Sequence, residues 1–159
     1  MIAKPEIRKR LAIKQVSAQG GGTASTTLWE RLGGRARAEI SAQLDLLAGE
    51  ETLVASFQSG ESWCLITTER FVWRQGETVR ALPWLQVQGA GPRPGEWAEV
   101  ARGERRKDTL EDLIVVDGNG DRATLRIERG TGFFLIWSLL ADLSAGGSAP
   151  VLKQSEAAP

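Results

Sequence analysis

The chain has no histidine and no tyrosine, and only one cysteine and one methionine, among its 159 residues. Without histidine there is no Ser-His-Asp or Cys-His arrangement, and the commonest metal ligand is missing as well. Lysine or paired carboxylates remain as possible acid–base groups, so the field of enzymes is narrow. The lone cysteine, Cys64, excludes an internal disulfide framework. Set between Trp63 and Leu65-Ile66, it reads as a small core hydrophobe whose burial raises the thiol pKa and leaves it inert. An excess of one charge is also lacking: 20 Lys and Arg balance 20 Asp and Glu. No basic surplus draws the chain to nucleic acid or an anionic membrane. No apolar run reaches the ~18 residues that span a bilayer. The basic residues near the start are not followed by the apolar stretch of a secretory leader. These absences set the expectation of a non-enzymatic, cytoplasmic protein without cofactor or metal.

What is present suits one globular domain with appendages, since 42% of residues are apolar and 25% charged. Residues 1–27 read as a flexible basic arm and linker: Lys4, Arg8, Lys9, Arg10 and Lys14 outweigh Glu6, and "SAQGGGTASTT" follows. Thr27 and Glu30 form a capping-box signature. Leu28, Leu32, Ala36, Ile40, Leu44 and Leu47 then draw one apolar stripe. That stripe predicts a short turn, a kink at Gly33-Gly34 and a helix over 35–48.

From Thr52 the period changes to two. "TLVASF", "SWCLIT", "FVWRQ" and "TVRALPW" read as successive strands with turns at "QSGE", "TTER" and "QGE". Both alternating sets of "SWCLIT" are apolar, which predicts a central strand covered on both faces. Trp63 and Trp73 are therefore expected in the core or its packing surface rather than in a ligand cage. "QGAGPRPGE" reads as a loop, and a second meander runs through "WAEVARG", "TLEDLIVVD" and "RATLRIERG", with a hairpin at "DGNGD". "TGFFLIWSLLADLSAGG" reads as a helix of about 14 residues, apolar all round and too short to cross a membrane. Residues 146–159 are expected as a disordered tail.

The order of a helix, about seven antiparallel strands and a C-terminal apolar helix resembles the pleckstrin-homology-like (PH-like) barrel, in particular its bacterial and GRAM-like branch. The residues that carry the likeness are "LLAGEETLVASF" leading into "WCLITTERFVW". They are similar to a Gly-Glu step, a first strand, and a strand closing in Leu-Thr-Asn-x-Arg, with Thr68 standing where that pattern has Asn. The resemblance covers residues 44–145. It implies a mainly β (α+β) fold, namely a barrel capped by the C-terminal helix and preceded by an N-terminal helix, with residues 28–145 as the domain. It implies no catalytic residue. One face of the last helix (Phe133, Ile136, Trp137, Leu140, Leu143) is expected to plug the barrel. The other (Phe134, Leu135, Leu139) needs a cover, from Ile40, Leu44 and Leu47 or from a second copy.

Phosphoinositide binding is disfavoured, because the loops that the resemblance puts at the barrel mouth carry Glu61, Glu77, Asp117 and Asp121 rather than bases. The dense basic turn at Arg102, Arg105, Arg106 and Lys107 reads as a solvated hairpin end. Asp117, Asn119, Asp121 and Glu128 mimic calcium-loop spacing, but Arg122 replaces the glycine needed at the sixth position, so a hairpin is the better reading. Glu111 and Asp112 point to opposite faces of an extended segment and form no acid–base pair. Protein interaction or self-association remains, with Trp29, Trp84, Trp97, Phe134, Leu135 and Leu139 as candidate contacts. The alternative is membrane association through the basic N-terminal arm alone.

Overall fold

The computed structural model describes residues 4–144, and the expected tail at 146–159 lies outside them. The described fold is mixed α+β: four α-helices and eight strands, the strands forming two antiparallel sheets that do not close into a barrel. In chain order the elements are α1 (Pro5–Ala18), β1 (Thr26–Leu28), α2 (Gly34–Ser41), β2 (Thr52–Ser59), β3 (Ser62–Thr67), β4 (Arg70–Gln75) and β5 (Thr78–Pro83). They continue with β6 (Val87–Pro92), α3 (Pro94–Ala101), β7 (Asp112–Asp117), β8 (Arg122–Arg126) and α4 (Thr131–Leu143). Strands β1 to β5 lie side by side in sequence order, and β6 to β8 form the second sheet.

Strand β3 is central and covered on both faces. Cys64 and Ile66 face the main core between the sheets, while Trp63 and Leu65 pack on the outer side with Leu32, Ile40, Ala55 and Val72. Strand β4 alternates likewise, with Phe71 stacked on Trp73 at 5.2 Å in the main core and Arg74 turned outward to Gln43. The "DGNGD" hairpin joins β7 to β8. The Asp117 carboxylate accepts the N–H groups of Asn119 and Asp121, and Gly120 alone supplies the positive φ, at 83°.

Helix α4 is buried on nearly every side: Phe133, Leu135, Ile136, Trp137, Leu139, Leu140 and Leu143 are all in the main core. Each such burial is worth ~1.5–3 kcal/mol, so this helix is the largest apolar contribution of any one element. It runs from the β6 edge of one sheet toward the β1 edge of the other, with α1 against it. The small residues Gly89, Ala90 and Gly91 of β6 are buried beside it and let helix and strand approach closely.

Several expectations are corrected. Residues 5–18 are not a loose arm but helix α1, started by Pro5 at its first turn and seated by Ala12 and Val16, both buried. The glycines that follow are not slack either. Gly21 N–H closes on Val16 O at 2.8 Å, and Gly22, at φ +83°, lies so close to the Thr26 carbonyl that a Cβ there would stand 2.2 Å from it. Thr27 does not cap a helix, because residues 26–28 pair with β2. The stripe expected over 35–48 is helical only to Ser41, and Leu47 is 53% exposed. The segment 97–103, read as a strand, lies largely in α3, which again has Pro at the first turn. The segment 88–96, read as a loop, supplies most of β6 and the start of α3. The cover over Leu135 and Leu139 is α1, not the stripe around Ile40, which belongs to the outer cluster.

Candidate interaction site

The residues that carried the family likeness converge on one buried corner. Glu50 and Arg70 form a two-pronged ion pair, Arg70 Nε to Glu50 Oε2 at 2.9 Å and Nη2 to Oε1 at 3.1 Å. Thr67 Oγ1 donates to Glu50 Oε2 at 2.5 Å, and Leu47 N–H donates to Oε1 at 2.8 Å. Thr67 in turn accepts the N–H groups of Glu69 and Arg70, and Trp84 Nε1 donates to the Thr67 carbonyl at 2.9 Å. Helix α1 is tied to the same corner by Arg8, which donates to the Thr68 carbonyl, and by a Lys9–Glu51 ion pair. Burial alone would raise the Glu50 carboxyl. Its bonds from Arg70, Thr67 and Leu47, with the charge of Arg70, outweigh that and hold it below the usual carboxylate range. Both oxygens are engaged twice, which leaves no lone pair aimed at a substrate. The corner is a structural clamp.

The other titratable candidates are buried or paired as well. Burial pushes the Cys64 thiol up to about 12, so it holds its proton at neutral pH. Glu111 is gripped by Arg129 at 3.0 and 3.2 Å, whereas Asp112 pairs with Arg93 and Arg126. Glu128, the last of the calcium-like spacing, accepts from Thr23 far from the turn. The basic stretch after α3 is not a hairpin end. Arg102 pairs with Glu104, Arg105 with Glu96 and Glu99, and Arg106 with Asp108.

Two hollows flank Trp29. One, of about 210 Å³, is lined by Ile40, Ser41, Leu44, Leu46, Thr52 and Leu65 with Trp29. The other, of about 100 Å³, lies against α1 and includes Ala12, Ile13, Leu28 and Leu53. They share Trp29 and Thr52 as a common wall. Ile13 and Leu46, on opposite flanks, are 46% and 49% exposed. A different opening lies between the two sheets. Its walls are Trp73, Gln75, Thr78 and Arg80 on one side and Arg122, Ala123 and Thr124 on the other, around about 380 Å³.

Of the six contacts expected from the sequence, Trp29 lines both of the hollows beside α2 and α1. Trp97 and Phe134 are half-buried and meet over Trp137, at 5.1 and 5.7 Å between ring centroids. Trp84, Leu135 and Leu139 are buried within this chain and offer nothing to a partner. Sequence reading missed Ile13 and Leu46, whose apolar character hid in a basic segment and in a stripe expected to be helical. It also missed Arg80 and Arg122. Here the signal existed, since pairing "FVWRQ" with "TVRALP" across a two-residue turn sets Arg80 opposite Trp73. No protein-family model matches the chain, and no curated protein or solved structure matches it.

Proposed function

We propose that this chain is a non-catalytic, cytoplasmic interaction module whose docking face is the pair of apolar hollows around Trp29. The observation that supports the reading is the half-exposed Ile13 and Leu46 on either side of a half-buried tryptophan. Contiguous apolar surface of this kind gains most by being covered, and tryptophan in a hollow is a frequent binding anchor. The scaffold is part of the same proposal: two antiparallel sheets with one apolar helix across one margin suit an open PH-like arrangement. The partner is a protein presenting apolar side chains, a second copy included. Sedimentation over a wide concentration range tests self-association, with Leu46→Glu abolishing it. A photo-crosslinker at position 46 tests a different partner, with Trp29→Ala abolishing capture. A chain that stays monomeric and captures nothing through position 46 sinks the reading.

A membrane reading has one observation in its favour. Ile7, on the outer side of α1, is 44% exposed near Arg10 and Lys14. No described helix is long and apolar enough to cross a membrane, so contact would be peripheral. Deleting residues 1–27 would also uncover Leu135 and Leu139, so the clean variant is Arg10→Glu with Lys14→Glu. Sedimentation with anionic vesicles that this variant loses favours the membrane; none in the wild type excludes it.

A further inference from the structure

We propose that the opening between β5 and β8 is a second docking site, for an acidic peptide segment in extended conformation that adds to the free edge of β5. The site is separate from the hollows around Trp29 and does not depend on their role.

Among the described residues, β5 pairs with β4 alone and β8 with β7 alone, and the cleft is lined by the Thr78 and Arg80 side chains of β5, next to its unpaired edge. The β4–β5 connection has two residues between the paired Gln75 and Thr78. In such a hairpin the flanking pair is hydrogen-bonded and the pairs alternate from there. Thr78, Arg80 and Leu82 therefore direct their N–H and C=O groups to β4, while Val79 and Ala81 turn theirs to the open edge. Pro83, which has no N–H, falls in the outward set, as that alternation requires. No backbone bond from another segment reaches Val79 or Ala81 among the described residues. A row of free donors and acceptors is what an added strand needs.

Side chains state which strand. Arg80 lies over the Trp73 ring at 5.5 Å, held by the aromatic face and engaged in no ion pair among the described residues. Arg122 stands on the far wall, and Thr78 and Thr124 add hydroxyls. Among the described residues no carboxylate lines the cleft; the nearest in sequence, Glu77 and Asp121, belong to the two turns. The Arg80 guanidinium in this setting selects carboxylates, and the free backbone selects an extended chain over a small anion.

The probe is a capped peptide of alternating glutamate and valine, titrated into the full chain and followed by backbone amide NMR. Its lysine–valine counterpart and inorganic phosphate are run alongside. The expected result is binding of the glutamate peptide alone, with slowed exchange at the Val79 and Ala81 amides. Arg80→Gln weakens it about tenfold, about the loss of one charge-assisted contact. Ala81→Pro, which removes an outward N–H without touching the β4 ladder, abolishes the exchange effect, and Trp29→Ala changes nothing. Equal binding of both peptides, indifference to Arg80→Gln, or no binding at millimolar peptide overturns the proposal. So does phosphate binding that needs Arg80 while Val79 and Ala81 stay unprotected, which would make the cleft a small-anion site.

Discussion

The two sheets face each other across two margins, and the molecule treats them oppositely. Between β1 and β6 the gap is filled by α4, with α1 behind it, and the α4 side chains in the core are apolar. Between β5 and β8 the gap is lined by arginine, threonine and glutamine beside Trp73 and Ala123, and a bond from the Arg126 N–H to Gln75 Oε1 at 2.8 Å bridges it. The same two sheets thus provide stability at one margin and an accessible surface at the other. What separates the two is the side chains offered to the gap, not the strands.

Substitutions can break that contrast, and their effects should fall in a fixed order. Leu139→Asp at the filled margin buries a charge with no partner and should cost at least about 4 kcal/mol, read by chemical denaturation. Glu50→Ala, which strands Arg70 in the clamp, should cost ~3–5 kcal/mol. The same clamp sets an acid limit. The Glu50 carboxyl in the fold lies below its ordinary 4.5, so its contribution is complete above that value. It is lost as pH falls through the lower folded value. Tryptophan fluorescence during acid titration should therefore show a shallower loss of stability in Glu50→Gln than in the wild type. Gly22→Ala, forced into positive φ against a carbonyl, should cost about 2 kcal/mol. At the open margin Arg80→Gln should shift stability by no more than ~0.5 kcal/mol. A large loss there would mean that the open margin also holds the fold.

Much of this arrangement was legible before the structure. Strands β2 to β5 announced themselves by alternation and short polar turns, and α4 by an unbroken helical apolar pattern. The parts that escaped share a physical reason. Helix α1 is seated by Ala12 and Val16, one turn apart, so its apolar row is too slight to show among its bases. Strand β6 holds Gly89 and Gly91 on either side of Ala90, and glycines usually mark loops. The "PGEWAEVA" of α3 carried a proline start signal that the alternation of Trp97 and Ala98 masked. The capping pattern at Thr27 and Glu30 lost to β2, whose free edge pairs with residues 26–28. At the candidate surfaces the arginines could be found only by pairing β4 with β5, and the hollows only by knowing that α2 stops at Ser41.

The seating of α1 on α4 also shapes how the chain comes to be. Gln15 meets Asp142 across 127 positions, so α1 cannot find its place until α4 has left the ribosome. Closing so long a loop is a late and slow event. Until then the greasy side of α4 and the waiting α1 remain apart, and the nascent molecule spends its synthesis without its final wall.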